Sequence, residues 1–201
     1  MPLIFRPAES RDVDQAVPLI YSSGPAAFDY AFKRAGVTAE DFLRAAFVDG
    51  AGMFGYPRHW VGEMGGRVVA AGTGYSGEVN LRNMLAATRQ IILCYGPVSA
   101  VPVMLNGLRL ERIIQPPPKQ TYYLAHLGVN PDLRGEGIGT RLVEHLLKLG
   151  RAAGFQRAAL DVAVSNPLAQ ALYERLGFVL EEERVSTLDG IANHRFMTKS
   201  L

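Results

Sequence analysis

Arg134-Gly135-Glu136-Gly137-Ile138-Gly139-Thr140 carries the densest chemical signal in the chain. Three glycines at alternate positions strip the side chains from a turn. It lies between a strand-like run, Tyr122 to Val129, and a helix-like run that starts at Gly137. Such a turn presents bare backbone N–H groups at a helix N-terminus, where partial positive charge favours an anion such as a pyrophosphate. Three kinds of phosphate-binding turn compete for this spacing. A Walker loop needs Gly-Lys-Ser/Thr, and the chain has Gly139-Thr140-Arg141. A dinucleotide turn needs Gly-x-Gly-x-x-Gly in an early strand–helix unit. Here the spacing is Gly-x-Gly-x-Gly and the unit comes late. The third pattern, Arg/Gln-x-x-Gly-x-Gly/Ala, is matched in full by Arg134 to Gly139.

A second motif follows the next strand. The segment Asn166-Pro167-Leu168-Ala169-Gln170-Ala171-Leu172-Tyr173-Glu174-Arg175-Leu176-Gly177-Phe178 fits Asn-x-x-Ala-x-x-Leu-Tyr-x-x-x-Gly-Phe. Together with the strand Leu127-Gly128-Val129 and the glycine turn, it resembles the GNAT superfamily of acyl-CoA-dependent N-acyltransferases. The resemblance is strongest from Tyr122 to Phe178, and the element order before it agrees.

The resemblance implies acetyl-CoA as donor substrate and a primary amine as acceptor, with no metal. It implies that the amides of Gly135, Glu136, Gly137, Ile138, Gly139 and Thr140 seat the pyrophosphate, with Arg134 beside them. Glu136 itself should point to solvent, because phosphate would repel its carboxylate. The backbone of Leu127, Gly128 and Val129 would hold the pantetheine arm as an added strand. The Leu127 amide would stabilise the oxyanion. Tyr173 would protonate the departing thiolate, since a phenol with a reference pKa of about 10 stays protonated at neutral pH. Asn166 would touch the pantetheine, although its place before Pro167 already explains it as a helix N-cap. The alternative of another class is an acyl-CoA sensor or interaction module without turnover.

No residue type at the strand leading into Leu127 names the base that must deprotonate the amine. Strand alternation puts Tyr123 and Ala125 on one face with Leu127 and turns His126 to the other. His126 then serves only if a bulge turns it back; otherwise it is a packed or hydrogen-bonded histidine. A relayed water and a remote acid such as Glu63 stay open. His59, His126, His145 and His194 lack the spacing of a zinc site, and there is one cysteine.

Several elements must position these residues. Leu3 to Phe5 reads as a strand, and Ser10 as the cap of a helix reaching Tyr21. Phe28, Tyr30 and Phe32 fall in an aromatic stretch without clear pattern. They, with Tyr56 and Tyr75, either fill a small core under loops or line an acceptor pocket. Thr38, three residues before Asp41, opens a helix to Val48, and glycines from Gly50 to Gly55 make a loop. Trp60 to Met64 and Arg67 to Tyr75 read as a hairpin around Gly65-Gly66. Between about 77 and 120 the spacing predicts an inserted helical pair broken at Gly96-Pro97. Leu81, Met84, Leu85, Ile91, Ile92 and Tyr95 mark the first helix; Val101, Met104, Leu105 and Leu108 mark the second. Its apolar faces predict contact with a second copy in a homodimer or packing on the domain, and after those a lid.

The strand at Tyr122, the helix from Gly137 to Arg151 and the strand from Arg157 to Val164 form a crossover unit, so two strands should be parallel. The helix opened by Asn166 and strands Phe178 to Thr187 and His194 to Lys199 complete the chain. The expected fold is α/β of the α+β type: a mixed, largely antiparallel sheet flanked by helices, in one domain over residues 1–201.

Composition narrows the class. The apolar fraction of 48% supports a real core, and a formal charge of +2 with scattered cations gives no nucleic-acid footprint. The lone Cys94 fits a reducing, cytoplasmic setting and reads as a packed thiol. The N-terminus lacks a secretory leader pattern, and no run approaches a membrane span, so no membrane partner is expected.

Overall fold

The computed structural model describes residues 1–34, 36–76 and 81–201, with the backbone alone for 81–83. Seven strands form one sheet: β1 (Leu3–Pro7), β2 (His59–Met64), β3 (Arg67–Ser76), β4 (Thr121–Val129), β5 (Arg157–Ala163), β6 (Val179–Arg184) and β7 (His194–Ser200). Their order is β1-β2-β3-β4-β5-β7-β6. Every pairing is antiparallel except β4 with β5. The crossover expected from the sequence is therefore present, and the sheet is mixed as expected.

Helices cover both faces. On one lies α5 (Ile138–Ala152), with α6 (Pro167–Arg175) beside it. Ile138, Leu142 and Leu146 repeat at i, i+4, i+8 and bury against Leu124, Leu160 and Met197. On the other face lie α1 (Val13–Ser22), α2 (Pro25–Phe32) and α3 (Ala39–Asp49). Val17, Leu19, Ile20, Leu43 and Phe47 pack there against Val61 and Ala71.

Two local readings near the N-terminus are corrected. Ser10 does not cap α1; Ser10–Asp12 forms a single 3-10 turn and α1 begins at Val13. Asp12 fixes that turn by accepting from the Glu9 amide at 2.8 Å and from both ends of the Arg6 guanidinium at 2.7 and 2.8 Å. The aromatic stretch without pattern is α2. Gly24-Pro25 supplies a helix start with proline at its first position. Phe28 and Phe32 then lie one turn apart and pack against Phe54, with Phe32 stacked on Phe42 at 4.2 Å. Tertiary packing supplies what periodicity lacked. At α3 the capping box stands as read, with Thr38 and Asp41 exchanging hydrogen bonds of 3.1 and 2.9 Å.

The helical pair before β4 is α4 (Leu81–Leu110), broken at Gly96, whose φ of 72° and ψ of 163° are not helical. The first residues of the insertion, 77–80, lie outside the described residues. Only part of the apolar pattern faces the domain. Ile91, Tyr95, Ala100 and Val103 bury against Phe42 and Ala46. Met84, Leu85, Val101, Leu105 and Leu108 are exposed, with Val98 at 85%. Hydrogen bonds set this face: the Tyr95 hydroxyl donates to Phe32 O and Asn106 donates to Tyr30 O at 2.9 Å. The reading that no run approaches a membrane span is also corrected. Met84–Leu110 is long and apolar enough to cross a membrane by length and composition. The break at Gly96 divides it into pieces of about 20 Å, short of the roughly 30 Å of a hydrocarbon core. Cys94 packs beside this cluster, and burial raises its thiol pKa.

Candidate active site

Pairing between β4 and β5 covers only Thr121, Tyr122 and Tyr123 against Arg157, Ala158 and Ala159. Beyond that point β5 continues along β7, and β4 continues along β3. From Leu124 to Val129 the β5-side edge of β4 has no strand partner among the described residues. This parting leaves main-chain donors and acceptors for an extended, amide-bearing ligand. Leu127, Gly128 and Val129 sit on that edge.

Gly128 fits there because β4 runs directly under α1. A Cβ on Gly128 would lie 2.0 Å from the carbonyl oxygen of Leu19. The strand ends at Asn130, whose side chain accepts from the Asp132 amide at 3.0 Å and starts the turn. Gly135 and Gly137 both take left-handed conformations, with φ of 87° and 76°. Open space lies where their Cβ atoms would be. Gly137 is the N-cap residue of α5, so the amides of Ile138, Gly139 and Thr140 are those of its first turn. Glu136 is exposed, as its charge led us to expect, and Arg134 is exposed beside it.

On α6, Asn166 is the N-cap, and its Oδ1 accepts from the Ala169 amide at 3.2 Å. Tyr173 is buried two residues from the end of α6 and meets Phe178 edge-on at 6.1 Å. Its hydroxyl has no hydrogen-bond partner among the described residues, and burial pushes its pKa up to about 12. The phenol therefore keeps its proton at neutral pH, as a donor requires.

The face expected for His126 is corrected by a bulge. Ala71 pairs with Gly128 and Thr73 with Ala125, so His126 and Leu127 together oppose Gly72. His126 adopts a left-handed φ of 56°. The alternation thereby slips by one residue. The Leu127 side chain packs over Gly72 toward Leu142 and Leu146 on α5. His126 lands on the α1–α3 side, against Phe28 and Phe54 and within 3.0 Å of His59. It shares that side with Tyr123 and Ala125 instead of opposing them.

The protons of this histidine pair follow from donor and acceptor capacity. The Gly55 carbonyl can only accept, so His59 Nδ1, at 3.1 Å, carries the proton. Its Nε2 then accepts from His126 Nδ1, which leaves His126 Nε2 with a bare lone pair. Burial holds both rings neutral, lowering His59 to about 4 and His126 to about 3.

Sequence reasoning missed a polar cluster on the same face. The Tyr123 hydroxyl donates to Asp161 Oδ2 at 2.8 Å, and Arg184 donates to Asp161 Oδ1 at 3.1 Å. Arg184 lies over the Phe196 ring at 4.7 Å and also donates to Glu182 at 2.9 Å. Desolvation pushes Asp161 up to about 6 despite these donors. The available signal was Asp161 itself, an acid within the apolar run Ala158 to Ala163. Glu63 is far from this cluster in the sheet order, on β2, where Arg6 holds it at 2.9 Å. Among the described residues no group of three or more His, Cys, Asp or Glu side chains is arranged to hold a metal.

The chain matches the model of the acetyltransferase (GNAT) family over residues 30–178. It is 39% identical over 56 residues to N-alpha-acetyltransferase 30 of Schizosaccharomyces pombe, covering 28% of this chain and 37% of that protein. Over 55 residues it is 42% identical to the [ribosomal protein bS18]-alanine N-acetyltransferase of Escherichia coli K12, covering 27% and 37%. The matched stretches thus span little more than a third of those relatives. An N-acetyltransferase from Staphylococcus aureus Mu50 shares the fold with a TM-score of 0.72 at 20% identity, over 98% of this chain and all of that one. The Drosophila melanogaster polyamine N-acetyltransferase follows at 0.58 and 20%, with both chains covered in full.

Proposed function

The chain belongs to the GNAT acetyltransferase family, and from that premise we propose that it transfers the acetyl group of acetyl-CoA to a primary amine by direct attack on the thioester. The observation that carries this reading is the parting of β4 from β5, with the glycine turn following directly on the open strand. A pantetheine arm laid along Leu127 to Val129 would leave its pyrophosphate at the first turn of α5. Backbone amides there carry no charge to neutralise, and the dipole of α5 adds to their attraction.

Each residue then has a role. The amide at Leu127, freed from regular pairing by the bulge, faces the thioester oxygen. Tyr173 gives its proton to the CoA sulfur as the C–S bond breaks. Arg134 and Thr140 supply further donors to phosphate. An α-amino group of a peptide is the first acceptor to test, because two relatives are named for N-alpha- and alanine N-acetylation.

The test is an acceptor panel of peptide N-termini, polyamines and amino acids with acetyl-CoA, read as free thiol. We expect thiol release with at least one acceptor, and Tyr173→Phe to lower kcat about 100- to 10,000-fold with acetyl-CoA affinity unchanged. Tight acetyl-CoA binding without release to any amine would instead make the chain an acyl-CoA sensor.

A further inference from the structure

We propose that the outer face of α4 docks on the same face of a second copy of this chain, making a two-fold homodimer through a short helical seam. The surface belongs to the insertion, whose inner face packs on α3 through Phe42 and Ala46. It includes none of the residues assigned to the donor, so it does not depend on the transferase reading.

Spacing comes first. After the break at Gly96, Val98, Val101, Leu105 and Leu108 follow one another at steps of three, four and three. That is the a/d alternation of a coiled coil, narrower than the stripe with which a helix meets its own domain. All four are exposed, while Ala100 and Val103 on the other side of the same piece are buried against Phe42 and Ala46. One apolar face thus packs on the domain, and a second has no partner among the described residues. Before the break, Leu85 and Ile92 stand seven residues apart and are exposed in the same way, with Leu93 beside them.

Area comes second. Together with Met84, these residues leave about 800 Å2 of apolar surface bare, which is what each partner gives to a stable interface of standard size. The largest patch on an ordinary monomer is about 300–600 Å2. Exposure peaks in the middle of α4, at Leu93 and Val98 on either side of Gly96. Burial against a partner would be deepest there, where the energy of an interface concentrates.

Charge decides between occupants. No Asp, Glu, Lys or Arg occurs from Gln90 to Leu108. The seam therefore offers nothing to a charged partner, and two copies of it do not repel. A helix lying on an anionic bilayer carries Lys and Arg on the side opposite its apolar face. In α4 that opposite side is itself apolar and packed on the domain, and Arg89 at its edge is tied to Asp49 at 2.7 Å. A two-fold axis through the middle of the seam instead sets the apolar row of one copy against the same row of the other, as an isologous contact requires.

The test is molar mass by sedimentation equilibrium, from nanomolar to micromolar concentration, for the full chain and for V98D, L105D and I4D. Wild type should reach twice the chain mass at micromolar concentration. In V98D and L105D the new carboxylate faces water in the free chain and an apolar row in the dimer. Both should dimerise at least about 100-fold more weakly than wild type. Val98 lies in the first turn after the break, where an acid is favoured, so V98D should fold and decides if L105D does not. I4D alters an exposed apolar residue on β1 and should dimerise as wild type does. Wild type that stays monomeric overturns the proposal, and its co-sedimentation with phosphatidylglycerol vesicles would then assign the face to a membrane. V98D and L105D as dimeric as wild type, or an I4D that is monomeric too, would place the interface elsewhere and overturn it as well.

Discussion

The proposed donor seat is drawn from one stretch of chain, Leu127 to Tyr173. The opposite face takes Phe28, His59, Tyr75, Tyr123, Asp161 and Arg184 from six elements. The first region works through backbone: an open strand edge, two left-handed glycines and a helix N-terminus. The second works through side chains, buried titratable groups among aromatic rings. Backbone amides recognise a constant ligand and tolerate change in the side chains around them. Under the proposed function, the side-chain assembly would set which amine enters. The two regions meet at the β4 bulge, where Leu127 turns to α5 and His126 to the α1–α3 side.

The contrast can be broken by mutation. The largest stability effect should come from Phe42→Ala. Phe42 is 1% exposed, stacked on Phe32, and in contact with Phe54 and Tyr95. Removing the ring should cost about 3–5 kcal/mol, read by urea unfolding, while acetyl-CoA affinity of the folded fraction is unchanged. An equal loss of donor affinity would show that the two regions are not separable.

A smaller effect should follow pH. His59 and His126 have folded pKa values of about 4 and 3, below the reference of 6.5. Their neutral forms therefore add stability that is present in full above pH 6.5 and is lost as pH falls toward 4. Asp161, raised to about 6, works in the opposite sense over the same window, so the comparison needs a variant. In His59→Gln the amide can still donate to Gly55 O and accept from His126. Its unfolding free energy should fall less steeply than that of wild type between pH 6.5 and 4.5. Identical slopes would mean that the pair titrates as it does in the unfolded chain.

The same division explains what the sequence revealed. Strand, turn and helix around Gly137 follow from local chemistry, and the Asn166 cap and the parallel crossover were legible for that reason. Helix α2 was not, because Phe28 and Phe32 gain their partners from α3 and the loop before β2. Which apolar residues of α4 face the domain was not legible, since Tyr95 and Asn106 orient it by bonds to carbonyls more than 60 residues away. Simple alternation placed His126 and Leu127 wrongly, because a one-residue bulge leaves no mark in periodicity. Asp161 was visible as an acid in an apolar run, but its link to Tyr123 needed the register of β4 on β5.

Titration calorimetry with acetyl-CoA tests the donor seat most directly, with Gly137→Val as the comparison. Valine at a φ of 76° carries strain of about 1–2 kcal/mol and puts a side chain into open space at the first turn of α5. Wild type should bind one acetyl-CoA per chain, and Gly137→Val should bind at least about tenfold more weakly while remaining folded. Wild type that shows no binding, or a folded Gly137→Val that binds as wild type does, would contradict the account.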